Sequence, residues 1–389
     1  MIPLVLIGVL ILCLTAEQII HTRRLKKIPL RITVSGTRGK SSIVRTLASV
    51  FRSAGISVMA KTTGSEAILI LPDGSEEPLK RNNLISIIEQ KRVVAHASKL
   101  NVSCLISEIM SIQPENHRIE TRKLLQPHLT LLSNFRADHT DVAGESAEQI
   151  AGVYQNDVFP GSTVILTGSE AHPSVLKILR KQKPALILTP GKLSGELNLS
   201  PTALHQQVSA NLDLVIATAR HQGISDKNIR NGILNTRLDI GSMTLYSFDS
   251  GNCKVIFVNA FAANDPVSTS EIIEQALKII PLKDPDIIGL LALRADRGER
   301  SLQWLRFLKD NKTDLFDRIF VVGPNAPVLE RRLNGCTRIP GKDPVMITDR
   351  IIRSASRNAV VFGIGNIHGT GMNLLSHWKE YGKEFFPTE

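Results

Sequence analysis

Aromatic residues make up only 4% of this 389-residue chain, and no basic run is interleaved with them. That argues against stacking platforms for single-stranded nucleic acid. Cysteine is scarce too: Cys13, Cys104, Cys253 and Cys336 lie far apart and form no C-x-x-C pair. A zinc site or disulfide framework is disfavoured, and a reducing compartment fits. There is no internal repeat and no low-complexity linker. Acidic residues are outnumbered, 36 against 47 Lys and Arg, which leaves a formal net charge of +11. That excess favours polyanionic partners: nucleotide, anionic lipid, nucleic acid or an acidic polymer. A hydrophobic content of 42% and a charged content of 21% are ordinary for a globular protein. The length suffices for two domains, each with its own core.

What is present is concentrated in one stretch, Ser35-Gly36-Thr37-Arg38-Gly39-Lys40-Ser41-Ser42. Ile28 to Val34, ahead of it, is β-branched enough to be a buried strand. Ile43 to Ala54, behind it, has apolar residues at helical spacing and closes at Gly55. Strand, glycine turn and helix form the context of a phosphate-binding loop, where backbone N–H groups and the helix dipole face an anion. Lys40 then reaches the terminal phosphates of a nucleoside triphosphate, and the Ser41 hydroxyl ligates Mg²⁺. A βα turn that binds nothing is the bland alternative, and the order Gly, Lys, Ser weighs against it. The general pattern G-x-x-x-x-G-K-[ST] wants glycine where this chain has Val34, so the form here is the shorter G-T-x-G-K-[ST].

Ile2 to Thr15 is an unbroken apolar run, short of the roughly 20 residues of a full span, although Ala16, Ile19 and Ile20 extend it. A buried helix is disfavoured because the run is apolar on every face. A cleaved leader is disfavoured because the basic cluster Arg23, Arg24, Lys26 and Lys27 follows the run instead of preceding it. The sequence therefore predicts an N-terminal membrane anchor with the remaining chain in the cytoplasm.

Beyond the loop, strands and helices alternate, which predicts a parallel, doubly wound sheet with ligands at the carboxyl ends of its strands. Short strands are expected at Ile56–Ala60 and Ala67–Leu71, a helix over Asn83–Leu100, and strands at Val102–Ile106 and Leu129–Leu132. Further strands fall at Thr163–Leu166 and Ala185–Leu188, with helices over Ala203–His221 and Asp226–Leu234. Ser41, Glu108 and His139 all follow strands at one edge. Each alone reads as a structural residue; together, beside a phosphate loop, they point to a Mg²⁺–ATP site. Histidine is an unusual ligand for so hard a cation.

The loop, Glu108 and the run Asn134-Phe-Arg-Ala-Asp138-His139-Thr-Asp141 together resemble the Mur ligase superfamily of ATP-dependent amide ligases. The resemblance implies that Gly36, Thr37, Arg38, Gly39, Lys40, Ser41, Ser42 and Asn134 bind nucleotide, and that Ser41, Glu108 and His139 hold Mg²⁺. It also implies catalytic roles for Lys40, Glu108, His139 and Arg237. Arg237 lies in Asn235-Thr-Arg237-Leu-Asp239, similar to the family's Gly-Arg-x-Glu segment, whose arginine contacts the ATP phosphates at the domain junction. Asn259-Ala-Phe-Ala-Ala-Asn264-Asp265-Pro266 and Ala295-Asp296-Arg297-Gly-Glu-Arg300 are weaker matches. They make Asn264, Asp265, Asp296 and Arg297 candidates for the amino-acid substrate.

Two departures shape the expectation. No lysine lies between Thr140 and Pro160, where many Mur ligases carry a carbamylated lysine; only Glu145, Glu148 and Asp157 are acidic alternatives there after Asp141. The residues ahead of the loop form the anchor in place of a domain that grips a UDP-linked precursor. Within the superfamily this resembles ligases that lengthen a polymer of γ-linked glutamate. The implied partners are glutamate, an anionic polyglutamate acceptor, the membrane and other subunits of a membrane complex, with no nucleic acid.

The expected fold class is α/β. A P-loop Mur-ligase-type ATPase domain with a doubly wound parallel sheet occupies 28–240. A smaller Rossmann-like α/β domain occupies 241–389, and a membrane helix with its basic flank occupies 1–27. Asp141-Val-Ala-Gly144 and Asn311-Lys-Thr-Asp314 match GTPase motifs but sit out of place. A membrane-tethered kinase or GTPase-like NTPase is the alternative function. Gly363-Ile-Gly365-Asn366-Ile-His368-Gly369 meets a dinucleotide glycine pattern only in part and reads as a turn.

Overall fold

The computed structural model describes residues 2–64, 67–81, 86–136, 140–197, 199, 209–251, 253–263, 266–310, 315–333 and 335–385. Its contacts divide the chain into two units. One runs from the N-terminus to Leu199 and takes in 209–238; the other runs from Asp239 to the C-terminus.

The first unit is built on strands β1 (Leu30–Ser35), β2 (Val58–Thr62), β3 (Ile68–Ile70), β4 (Glu76–Pro78), β5 (Cys104–Glu108), β6 (Leu129–Leu132), β7 (Thr163–Thr167) and β8 (Ala185–Thr189). They form one sheet in the order β4-β3-β2-β5-β1-β6-β7-β8. From β2 to β8 every pairing is parallel, with β1 at the centre between β5 and β6. The short strands β3 and β4 add an antiparallel edge that the expectation of a wholly parallel sheet did not include. The turn Pro72-Asp73-Gly74 joins them as a hairpin, and a connection that short can only reverse the chain.

Helices of this unit include α1 (Ile2–Lys26), α2 (Lys40–Ser53), α3 (Glu89–Lys99), α4 (Pro114–Ile119), α5 (Ala147–Tyr154), α6 (Ser209–His221) and α7 (Asp226–Leu234). Helix α2 buries Ile43, Val44, Leu47, Val50 and Phe51, the face its spacing marks out. Each such side chain removed from water contributes about 1.5–3 kcal/mol. The helix expected from Asn83 starts at Glu89, and residues 82–85 lie outside the described residues.

Helix α1 is continuous, and its apolar residues from Ile2 to Ile20 are exposed. It is long and apolar enough to cross a membrane, with a mean hydropathy of 2.2 over its most apolar window. Its last turns behave differently. Leu25 is buried with Val93, Val94 and Leu105 in one cluster that also holds Ile28. His21 Nε2 lies 3.0 Å from the Leu124 carbonyl, and Arg31 donates to the carbonyls of Leu25 and Ile28 at 2.9 Å.

The second unit carries β9 (Leu245–Ser250), β10 (Cys253–Asn259), β11 (Asp286–Ala292), β12 (Arg318–Val322), β13 (Cys336–Arg338), β14 (Ala359–Gly365) and β15 (Lys383–Glu384). Their order is β13-β12-β11-β14-β10-β9-β15. The strands from β13 to β10 pair in parallel, and β9 and β15 close the other edge antiparallel. Helices α8 (Pro266–Ile279), α9 (Gly298–Asp310), α10 (Pro344–Ser354) and α11 (Met372–Tyr381) accompany this sheet. Buried side chains form two clusters, one around Trp304 and the other around Trp378, as in a sheet covered on both faces.

Candidate active site

Strand β1 ends at Ser35, and the chain turns through Gly36 (φ 110°) and Gly39 (φ 83°) into α2. Both glycines are sterically required. A Cβ on Gly36 would lie 2.3 Å from Ser133 Oγ, and one on Gly39 would lie 2.5 Å from Asn211 Nδ2. Gly39, with no side-chain cap bond, stands at the N-cap of α2, the end at which a helix presents N–H groups to an anion.

Asn134, expected among the nucleotide ligands, braces the loop itself. Its Oδ1 accepts from Arg38 N at 3.2 Å, its Nδ2 donates to Arg38 O at 3.1 Å, and its carbonyl accepts from Thr37 N at 3.1 Å. Thr37 Oγ1 donates to the Arg136 carbonyl at 2.8 Å. The segment after β6 thus templates the loop. Lys40 curls over it, donating Nζ to the carbonyls of Gly36 at 2.8 Å and Thr37 at 3.2 Å.

Ser41, on the first turn of α2, donates its hydroxyl to Glu108 Oε2 at 2.8 Å, and the same oxygen accepts from Thr63 N at 2.8 Å. Glu108 ends β5 and is buried. Two hard oxygen donors in contact beneath a helix N-terminus suit a divalent cation such as Mg²⁺. Asp138 and His139, as well as the substrate candidates Asn264 and Asp265, lie outside the described residues. Ser42 follows Ser41 in α2, and its carbonyl accepts from Thr46 Oγ1 at 2.9 Å.

Behind Glu108 lies a buried polar network with no motif of its own. Lys61, fully buried in β2, places Nζ 2.7 Å from Glu89 Oε1, and Arg81 grips the same carboxylate at 2.9 and 3.0 Å. Burial lowers the Lys61 pKa, and Glu89 works against that shift. Gln90 donates to the Glu108 carbonyl at 3.4 Å and to Glu120 Oε1 at 2.5 Å. Burial raises the Glu120 pKa despite hydrogen bonds from Ser111 and Gln90. The strand expected over Ile56–Ala60 stopped short of Lys61, whereas β2 runs on to Thr62 and carries it into the core.

Of the acidic alternatives to a carbamylated lysine, Asp157 and Glu148 are otherwise engaged. Asp157 is fully buried and bonded to Ser35 and His117; Glu148 is exposed and accepts from Ser174 Oγ at 2.7 Å; Glu145 is exposed. Arg237 is 77% exposed, with Nε 3.6 Å from Glu76 Oε1, while Arg45 holds the same Glu76 oxygen at 2.7 Å. In the second unit Asp296 is clasped by Arg294 at 2.9 and 2.7 Å, and this lowers its pKa; Arg297 is exposed. Arg300 donates to Asn366 Oδ1 at 3.2 Å, and Asn366 donates to the Ala292 carbonyl at 3.1 Å. Gly363 and Gly365 of the glycine pattern, expected to lie in a turn, belong to β14; the chain turns only from Asn366, which these bonds buttress.

Residues 34–194 match the Mur ligase middle domain, and residues 245–381 match the poly-gamma-glutamate synthase CapB C-terminal domain. The chain is 29% identical over 369 residues to the capsule biosynthesis protein CapB of Bacillus anthracis, covering 92% of this chain and 78% of that protein. It is 28% identical over 371 residues to the PGA synthase CapB of Bacillus subtilis (strain 168), covering 93% of each. A bifunctional folylpolyglutamate synthase/dihydrofolate synthase, solved with Mn, AMPPNP and L-glutamate bound, superposes with a TM-score of 0.69. That pair is 15% identical and covers 93% of this chain and 92% of the other, a likeness of fold. The chain belongs to the Mur ligase superfamily of ATP-dependent amide ligases and carries a CapB-type C-terminal domain.

Proposed function

We propose that this protein is an ATP-dependent ligase that adds glutamate to a growing poly-γ-glutamate chain. The observation that carries the reading is the contact of Ser41 with Glu108 at the mouth of a glycine loop whose helix N-terminus has no side-chain cap. The CapB relatives supply the substrate class, and the folylpolyglutamate synthase/dihydrofolate synthase structure with L-glutamate and AMPPNP bound supports it by analogy of fold.

In this mechanism a carboxylate oxygen of the acceptor attacks the γ-phosphorus of ATP, the bond to the β-phosphate oxygen breaks, and ADP leaves an acyl phosphate. The glutamate amine then attacks the acyl carbon and gives up a proton, phosphate departs, and an amide remains. The protein contributes positioning and charge neutralisation more than covalent chemistry. Lys40 and Arg237 stabilise the transferring phosphoryl group. Ser41, Glu108 and His139 would hold Mg²⁺, which when bound neutralises charge on the phosphate oxygens. Asp296 and Arg297 are proposed to face the amino-acid substrate. Helix α1 is proposed to anchor the protein in the membrane with both units in the cytoplasm, beside other subunits of a synthase complex.

The test is product analysis on purified membranes supplied with ATP and labelled D- or L-glutamate. Polymeric γ-linked product that requires ATP supports the reading. Phosphate release that is indifferent to glutamate, or equally good with GTP, would replace it with a membrane-tethered NTPase.

A further inference from the structure

Behind the phosphate loop lies a set of titratable groups that the ligase chemistry leaves unexplained. Ser35, the residue before Gly36, donates its hydroxyl to Asp157 Oδ2. The other carboxylate oxygen, Oδ1, lies 2.7 Å from His117 Nδ1. Ser35, His117 and Asp157 are 1%, 2% and 0% exposed, so the set is closed to water. They come from three places: the end of β1, helix α4, and the turn Gln155–Asp157 that follows α5. The Asp157 carbonyl also accepts from Thr130 Oγ1 on β6 at 3.2 Å. The same helix end meets the loop a second time, because Tyr154 OH lies 3.4 Å from Thr37 Oγ1. The Tyr154 ring packs edge-on against His117 at 5.6 Å.

We propose that Asp157, backed by His117, is a positioning residue for nucleotide binding: by holding Ser35 it fixes the direction in which the chain leaves β1, and with it the loop's N–H groups. The proposal rests on the reading of the loop as the nucleotide site. Ser133 confines Gly36 from one side. Asp157 confines Ser35 from the other, so the turn is held at both shoulders. A buried carboxylate is costly unless it is paired and hydrogen-bonded, and here both of its oxygens are.

The charge on His117 tunes this brace. Burial works against the imidazolium, but the adjacent Asp157 carboxylate outweighs it through charge and hydrogen bond, with a smaller contribution from Glu120. Lys40 opposes protonation, and the net result is a pKa above the ordinary 6.5. The contribution of the charged pair is therefore full below that ordinary value and is lost as pH rises through the raised one.

Titrating the full chain in detergent with a fluorescent ATP analogue, from about pH 6 to pH 9, tests this across the imidazole range. Asp157→Asn keeps the shape and an acceptor for Ser35, and it should weaken nucleotide binding roughly tenfold, the scale of a lost charge-assisted hydrogen bond. The KM for ATP should rise more than kcat falls. Wild-type affinity should decline with rising pH, and His117→Gln should bind at the high-pH level throughout with no such dependence. Lys40→Ala, as a control, should lose binding at every pH. If Asp157→Asn and His117→Gln bind as wild type at every pH while Lys40→Ala does not, the brace is overturned and the loop reading stands. If Lys40→Ala also binds as wild type, both fall. If Asp157→Asn fails to fold by circular dichroism, the pH profiles of wild type and His117→Gln decide alone.

Discussion

Ser41 and Glu108 meet at 2.8 Å although one opens a helix and the other closes a strand. The parallel register of β1 and β5 makes this possible, since it pairs Val34 with Glu108 and brings the end of β5 level with the start of the loop. In a doubly wound sheet that edge is where ligands gather.

Glu108→Gln preserves size and removes the charge. The Mg²⁺ concentration for half-maximal ligase activity should rise about tenfold or more. His139→Ala should shift it in the same direction. Unchanged Mg²⁺ dependence with a lowered Tm would assign both residues to the scaffold.

Lys40→Ala removes the ammonium that covers the carbonyls of Gly36 and Thr37. A loss of about 3 kcal/mol of transition-state stabilisation, roughly a hundredfold in kcat/KM, is expected with the fold intact. Near-normal activity would remove the loop from the mechanism.

Helix α1 makes two different truncations informative. Removing residues 2–20, whose apolar side chains are exposed, should shift the protein from the membrane to the soluble fraction with little change in stability. Removing residues 1–27 also deletes Leu25, which is 1% exposed in the core. That deletion should cost a further 2–5 kcal/mol or so, read as a fall in Tm. Equal stability of the two truncated proteins would contradict the packing of the last turns of α1.

Arg297 is exposed in the second unit, and the chain carries a net charge of +11. If Arg297 helps hold an anionic acceptor, Arg297→Ala should weaken binding of long polyglutamate more than of free glutamate. The difference should shrink with salt as charges separated by more than about 8 Å become screened. Equal, salt-independent losses would make it a local ligand of glutamate instead.

Much of the fold was legible because local pattern and tertiary burial agree. The strand at Leu129–Leu132 and the helix at Asp226–Leu234 fall where periodicity puts them. Glu108 stood out because a charged residue closes an apolar strand, and the loop because its glycines sit between a strand and a helix. The antiparallel edge β3–β4 was less legible, since pairing direction is set by which neighbour is within reach and not by composition. Helix α3 starts at Glu89, after a turn at Ile87 and Ile88, a limit that apolar spacing alone did not mark.

The sequence by itself determined the phosphate loop, the alternating α/β order, the apolar N-terminal helix and the family, because each is written in contiguous residues with a fixed spacing. Tertiary structure alone decided that Asn134 braces Arg38, that Lys61 is buried against Glu89, and that Ser35, His117 and Asp157 form one cluster. Ser35 and Asp157 stand 122 residues apart, and His117 and Asp157 stand 40 apart. No periodicity spans such distances. Only the closing of the sheet, with α4 and the turn after α5 packed beside β1, brings a carboxylate to both a hydroxyl and an imidazole in a place that water does not reach.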